Sequence, residues 1–215
     1  MSTPVEGLPP KGPLVEQPEN FEFTPENLEQ AKAHIAKYPP GRQASAVLPL
    51  LWIAQGQHGG WLPRAAMDHI AQILEMPPIR VYEVATFYTM FNLQPVGRYL
   101  LQACTTTPCW LRGSDAVVQA CERKLGIGVG GTTPDGLFTL VEVECLGACV
   151  NAPILQVNDD FYEDLDAPAT DALLDALRNG KAPLPGSVVG RQGSEPVSGR
   201  TTLVEPGVGS VGSQG

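Results

Sequence analysis

Cysteine is the residue type in this sequence whose spacing is best suited to chemistry. Four of the five cysteines form two close pairs, Cys104 with Cys109 and Cys145 with Cys149, in C-x4-C and C-x3-C patterns far apart along the chain. The fifth, Cys121, stands alone. Paired cysteines in a reducing compartment are typical of metal or redox sites. The two pairs therefore predict one site of that kind.

Four thiolates suit a tetrahedral zinc ion or an iron–sulfur cluster. Structural zinc sites favour C-x2-C, which neither pair has, whereas a [2Fe–2S] cluster contains two irons, so that each pair can hold one. The Thr105–Thr107 hydroxyls and the backbone N–H groups of Leu146–Ala148 can donate to such a cluster. The spacing favours the cluster, while a zinc site and a thiol–disulfide switch stay open. Cys121 is interpreted as a buried thiol of a helix.

Charge and hydropathy exclude several classes of protein. The 215-residue chain has a formal net charge of −9, which argues against nucleic-acid binding because phosphate contacts require a basic face. Apolar runs are shorter than the roughly 18 residues of a membrane span, so we expect no direct membrane insertion. Residues 1–6 have the pattern of neither a signal peptide nor a transit peptide, which predicts a cytoplasmic location.

Residues 21–92 are predicted to form a small four-helix bundle. Thr24 can cap the first helix with Pro25 in its first turn. The four predicted helices run from Pro25 to the stop at Pro39–Gly41, from about Gln43 to Gln57, from Pro63 to the stop at Pro77–Pro78, and through Val81–Tyr88.

From Gly97 the pattern becomes one of alternating strands and helices. The predicted elements are strand 98–103, a helix over 115–124 capped by Ser114, strand 138–144, two short strands at 154–157 and 161–162 around an Asn158–Asp160 turn, and a helix over 168–178. We read the order as β-α-β-β-α, which predicts an α/β (α+β) layer fold. Because strands 98–103 and 138–144 each end just before a cysteine pair, the four sulfurs converge if these strands are neighbours.

The composition divides the chain into four segments. Both ends are rich in Gly and Pro and lack the apolar surface that would offset chain entropy. We therefore expect an extended N-terminal segment at 1–20, the helical bundle at 21–92, the cysteine domain at 97–180 and a Gly/Pro/Ser-rich extended tail at 181–215.

The cysteine segments resemble a known family. Cys104–Cys109 followed by Glu142–Pro153 closely resembles the small thioredoxin-like [2Fe–2S] subunit of NADH:quinone oxidoreductase, respiratory complex I. Val81–Phe91, Gly126–Ile127 and Asp160–Leu165 also match that family, and the likeness covers roughly residues 20–180. It implies a thioredoxin-like [2Fe–2S] domain at 97–180. It further implies a set of four cluster ligands, namely Cys104, Cys109, Cys145 and Cys149.

The resemblance also implies a function. The chain would be an electron-transfer subunit that holds one [2Fe–2S] cluster and exchanges single electrons with the FMN of a flavoprotein partner. FMN and NADH would bind to that partner only, because the glycine-rich run Gly126–Gly131 follows a predicted helix rather than a strand and is predicted to be a turn, not a dinucleotide-binding loop. The acidic run Asp159–Asp166 is interpreted either as a solvated face or as a docking surface.

The implied assembly is the hydrophilic arm of complex I. There the chain would be a peripheral subunit on the cytoplasmic side of the bacterial inner membrane and would contact other subunits of that arm. The open alternatives are the equivalent subunit of an NAD-linked formate dehydrogenase or NAD-reducing hydrogenase, and a zinc-stabilised assembly module without redox chemistry.

Overall fold

A computed structural model describes residues 16–194. The chain divides into two compact units, with the division between Val96 and Gly97. The predictions for residues 1–15 and 195–215 lie outside the described residues. No helix in the described part of the chain is long and apolar enough to cross a membrane.

The α-helices of the first unit are α1 Pro25–Ile35, α2 Val47–Gln57, α3 Arg64–Ile73 and α4 Pro78–Phe87. Thr24 caps α1 as predicted, since its Oγ1 accepts a hydrogen bond from the Asn27 N–H at 3.3 Å. The second helix differs from the prediction because Gln43–Ala46 is a 3-10 turn. Pro49 has no N–H to donate to Ser45, so a regular α-helical bond is missing at this point.

The helices of the first unit share one hydrophobic core. The side chains at its centre come from all four helices and are Ala31, Leu50, Leu51, Ile70 and Val81, each with no exposed surface. Burying one side chain of the size of Val, Leu or Ile stabilises the fold by roughly 1.5–3 kcal/mol. The predicted helices thus meet in one hydrophobic cluster.

The second unit is a five-stranded mixed sheet with helices. Its elements are β1 Tyr99–Cys104, α5 Thr107–Leu111, α6 Ser114–Leu125, β2 Phe138–Val143, β3 Leu155–Val157, β4 Asp160–Glu163, α7 Ala167–Arg178 and β5 Gly186–Ser187. The strand order is β2-β1-β3-β4-β5, with β1 parallel to β2 and antiparallel to β3. Helices α6 and α7 share a core with the sheet. The predicted mixed α/β class is confirmed.

Three details of the second unit differ from the prediction. The predicted elements lacked α5 and β5, and the order β-α-β-β-α counted one strand too few, although the predicted strands at 154–157 and 161–162 correspond to β3 and β4. Ser114 is not the cap of α6, because Gly113 takes that position with a φ of +98°. Glycine adopts this left-handed conformation at little cost, which lets the chain turn directly from α5 into α6. Within the segment predicted as an extended tail, Gly186–Ser187 pairs with β4.

Candidate metal centre

The parallel pair β1–β2 brings the two cysteine segments to one edge of the sheet. Cys104 is the last residue of β1 and lies in register with Val143, the last residue of β2. Cys145 follows Val143 by two residues. Because the carboxyl ends of parallel strands meet at the same edge, both cysteine loops begin side by side. The expected neighbour relation of the two strands is therefore present.

Cys104 and Cys109 form the buried half of the site. Cys109 lies on α5, which Pro108 opens in its first turn and which follows Cys104 after a short connection. The two cysteines belong to a small apolar cluster with Ala152 and Ile154. The Thr106 hydroxyl lies 3.5 Å from Cys104 Sγ. The first pair is therefore shielded from water and has a hydroxyl group in contact.

Cys145 and Cys149 form the outer half of the site. Their sulfurs are 3.3 Å apart, and Cys145 is exposed while Cys149 is half-buried. Gly147 has a φ of +82° and donates its backbone N–H to Cys145 Sγ at 3.4 Å. This left-handed residue bends the C-x3-C loop so that both thiols face each other.

The pKa values of these thiols show that the two pairs interact. Burial and a hydrogen bond with Cys104 raise the pKa of Cys109 to about 12, and the charge of Cys149 acts in the same direction. The hydrogen bond with Cys145 raises the pKa of Cys149, to which the charges of Cys145 and Cys104 also contribute. Cys149 therefore lies within electrostatic reach of both thiols of the first pair.

Cys104 differs from its neighbours. Burial acts to raise its pKa, but hydrogen bonds from Thr106 and from the backbone N–H of Leu146 outweigh burial and bring the pKa below its ordinary value. Leu146 belongs to the second cysteine loop, whereas Cys104 ends the first strand. The second loop therefore lies close enough to the Cys104 sulfur to affect its pKa.

The donor set fits a four-thiolate iron–sulfur cluster. Such a group is anionic and needs hydrogen-bond donors where water is excluded. The Gly147 N–H donates to Cys145 Sγ, and the backbone N–H groups of Leu146 and Ile154 act to lower the pKa of Cys104 and of Cys109, respectively. Within residues 16–194, no three His, Cys, Asp or Glu side chains converge as they would around a single metal ion. The thiols are arranged as two interacting pairs.

Cys121 lies apart from the site, as the sequence predicted. It has no exposed surface and lies, together with Val117 of α6, in the hydrophobic core of the second unit. Burial raises its pKa to about 12. The glycine-rich segment Gly126–Gly131 begins at the left-handed C-cap of α6 and is a turn, also as predicted.

Replacing Cys121 with serine should leave the metal centre intact but destabilise the fold. The new hydroxyl would enter an apolar core, and an unsatisfied buried hydroxyl costs roughly 1–3 kcal/mol. Urea unfolding would measure the loss, and the visible spectrum would report the centre. The native thiol should also resist iodoacetamide at neutral pH, because its pKa of about 12 leaves little thiolate. Loss of colour in Cys121→Ser would contradict this assignment.

The structure adds residues that the sequence did not associate with the site. In the acidic run Asp159–Asp166, the Asp164 carboxylate is paired with Arg191 at 3.3 Å and its side chain is only 9% exposed. Glu163 accepts a hydrogen bond from Asn151. Asp164 is therefore largely shielded from solvent and already paired, and Glu163 is half-buried and already hydrogen-bonded. No local motif links Arg191 to Asp164, because the contact depends on how the chain returns to β4.

The sheet, with two cysteine loops at one edge, has the features of a small iron–sulfur protein. Comparison with known families agrees. The model of the family "Thioredoxin-like [2Fe-2S] ferredoxin" matches residues 31–178, and the chain belongs to that family.

Two similar proteins have names that refer to NADH-quinone oxidoreductase and to NADH dehydrogenase. A protein of Rickettsia bellii that is named as a subunit of NADH-quinone oxidoreductase is 58% identical over 160 residues, which cover 74% of this chain and 96% of that protein. The mitochondrial NADH dehydrogenase [ubiquinone] flavoprotein 2 of Dictyostelium discoideum is 53% identical over 189 residues, covering 88% of this chain and 76% of that protein. The resemblance read from the cysteine motifs is confirmed.

A solved structure supports the fold. The crystal structure of an NAD+-reducing [NiFe]-hydrogenase in its air-oxidized state aligns with a TM-score of 0.54 at 24% identity. The alignment covers 60% of this chain and 23% of the hydrogenase chain. At this identity the likeness concerns the fold alone.

Proposed function

We propose that this chain is an electron-transfer subunit of an NADH:quinone oxidoreductase of the complex I type. In this proposal one [2Fe–2S] cluster is held by Cys104, Cys109, Cys145 and Cys149. The observation that carries the proposal is the convergence of two thiol pairs at the carboxyl ends of β1 and β2. Membership of the [2Fe–2S] family and the names of the similar proteins support it.

When bound, the cluster supplies acceptance and release of one electron at a time. The residues of this chain determine its environment. Cys104 and Cys109 hold one side within the apolar cluster of Ala152 and Ile154, which excludes water. The exposed Cys145 leaves the other side accessible to a partner. Backbone N–H groups of the second loop stabilise the negative charge on sulfur.

The partner in this proposal is the flavoprotein subunit that binds FMN and NADH. Hydride transfer requires a two-electron acceptor such as a flavin. The glycine-rich turn Gly126–Gly131 of this chain follows helix α6, whereas a dinucleotide-binding loop follows a strand and opens a helix. The partner would receive the hydride, and this chain would exchange single electrons with its flavin. This chain would be a peripheral subunit of the complex, on the cytoplasmic side of the bacterial inner membrane.

Exposed apolar side chains next to the cysteines support a protein partner at this edge. Trp110 and Leu111 directly follow Cys109, and Val150 directly follows Cys149; all three are exposed. We call these three residues the cysteine-edge patch. Exposed apolar groups that cluster near a site are typical of surfaces covered by another protein. The patch therefore provides a contact surface beside the sulfurs.

Substituting Leu111 should weaken the complex without affecting the cluster. Leu111→Ser removes a side chain that is 71% exposed, so folding should change little, while the affinity for the flavoprotein subunit should fall about tenfold, or about 1.4 kcal/mol. Val129→Ser is the matched control, because Val129 is also exposed but lies in the turn after α6. Surface plasmon resonance would compare them. Equal affinity of both variants would argue against the patch as a contact.

The domain organisation is part of the proposal. We infer a four-helix bundle at 21–92 and the thioredoxin-like [2Fe–2S] domain at 97–180. The hydrophobic core of α1–α4 supports the bundle, since it is separate from the core of the second unit.

Metal and sulfide analysis tests the proposed function. Anaerobically prepared protein should contain two irons and two acid-labile sulfides per chain and give a paramagnetic signal on reduction. Zinc without sulfide would instead favour the assembly-module alternative. Protein with neither iron nor sulfide would contradict the proposal. The subunits that co-purify with the chain would distinguish complex I from a formate dehydrogenase or hydrogenase.

A further inference from the structure

We propose that residues 186–193, here called the C-terminal strap, hold the second cysteine loop in place and that Arg191 is the positioning residue. The inference rests on the proposed function, because it treats Cys145 and Cys149 as cluster ligands. It goes beyond that function by giving a role to a segment outside residues 31–178, where the family model matches.

The strap is attached to the edge of the sheet. Gly186 and Ser187 pair with Tyr162 and Glu163 of β4. The Val188 N–H then donates to the Glu163 carbonyl at 3.1 Å. These main-chain bonds bring the following residues of the strap to the end of β4.

Arg191 connects the strap to the second cysteine loop. Its Nη1 donates to the Val150 carbonyl at 3.0 Å and contacts Asp164 Oδ1 at 3.3 Å. The Arg191 and Asp164 side chains are only 14% and 9% exposed. Ser187 completes the arrangement, because its hydroxyl donates to the second oxygen of Asp164 at 2.7 Å. Val150 directly follows Cys149, so the Arg191 guanidinium binds the carbonyl of the residue next to a proposed ligand.

Asn151 makes a second connection. This buried residue ends the short 3-10 helix that begins at Cys149. Its side-chain amide donates to the Gly193 carbonyl at 2.7 Å and to Glu163 Oε2 at 2.5 Å. Two consecutive residues after Cys149 are thus tied to the strap, and they cannot shift without breaking these polar contacts.

The physical consequence is a fixed orientation for Cys149. Partners that orient metal ligands commonly change metal affinity by roughly 10–100-fold when they are removed. Losing one member of a buried ion pair also leaves the other charge uncompensated. Without the guanidinium, Asp164 would be driven to rotate toward water and the Val150 carbonyl would lose its donor. Both changes loosen the loop that carries the outer thiols.

Cluster release from the full-length, cluster-loaded chain tests the strap. We expect Arg191→Gln to lose visible absorbance to an iron chelator about tenfold faster than wild type, with an altered visible circular dichroism spectrum. Arg191→Lys, which keeps a positive charge, should release the cluster more slowly than Arg191→Gln. Arg123→Gln is the control, because it removes the Arg123–Asp171 ion pair between α6 and α7, away from the cysteine loops.

The outcomes of this experiment distinguish the role of the strap from the cluster assignment on which it rests. Release from Arg191→Gln at the wild-type rate, or at the rate of Arg123→Gln, would overturn the role of the strap while leaving the cluster assignment in place. If Arg191→Gln does not fold, Arg191→Lys and Asp164→Asn provide the same comparison of rate and spectrum. Wild-type protein without iron and sulfide would overturn both the proposed function and this inference.

Discussion

Replacing Cys104 or Cys149 with serine is expected to abolish the reddish-brown colour of the protein and the paramagnetic signal of its reduced form. Each substitution removes one thiolate, and a serine hydroxyl does not ionise readily enough to replace it. The two residues belong to different pairs, and the proposed cluster needs the thiolates of both pairs. Neither variant should therefore hold a cluster. Absorbance per chain, together with iron and sulfide content, would measure the near-complete loss.

Stability of the metal-free protein provides the control for these substitutions. Cys109 is buried, so Cys109→Ser should cost roughly 1–3 kcal/mol even without a cluster. Cys145 is exposed, so Cys145→Ser should change the free energy of unfolding by less than about 0.5 kcal/mol. Cys145→Ser therefore separates ligand loss from misfolding. A full cluster in Cys145→Ser would remove that residue from the ligand set.

The elements that local signals specify were predictable. Thr24 and Pro25 mark the start of α1, and the apolar runs before Cys104 and Cys145 mark β1 and β2. These signals act within a few residues, through capping groups and side-chain alternation. The mixed α/β class and the family followed from them and from the cysteine motifs. The ligand set remains a prediction.

The features that depend on long-range contacts were not predictable. Strand β5 has two residues, too few for a periodic pattern, and it forms because β4 offers an open edge. The partner of Asp164 is Arg191, which approaches only after α7 has reversed the chain. The cap of α6 was misassigned because Ser114 is a good cap by type, whereas the turn from α5 required the left-handed Gly113. The strap was not predicted for the same reason, because its contacts join residues that are distant in the sequence.

Gly97 is the position where one added methyl group should have the largest effect on the fold. An ideal Cβ there would lie 2.6 Å from the carbonyl carbon of Phe138 and 2.9 Å from its Cα and N. The Gly97 N–H also donates to Thr139 Oγ1 at 2.6 Å, which holds the chain just before β1 against β2. Backbone atoms cannot rotate away as a flexible side chain can. We therefore expect Gly97→Ala to destabilise the protein by roughly 3 kcal/mol or more.

The effect of Gly97→Ala should extend to the cysteines, because the β1–β2 register that begins at Tyr99 and Phe138 ends at Cys104 and Val143. Gly128→Ala is the control, since its Cβ would meet only Glu122 Oε1, at an ordinary 3.7 Å. Urea unfolding of both metal-free variants and their cluster content would make the comparison. Equal unfolding free energies of the two variants would mean that β1 and β2 can move apart here at little cost. Full cluster content in a destabilised Gly97→Ala variant would mean that the geometry of the cysteine loops does not depend on the β1–β2 register.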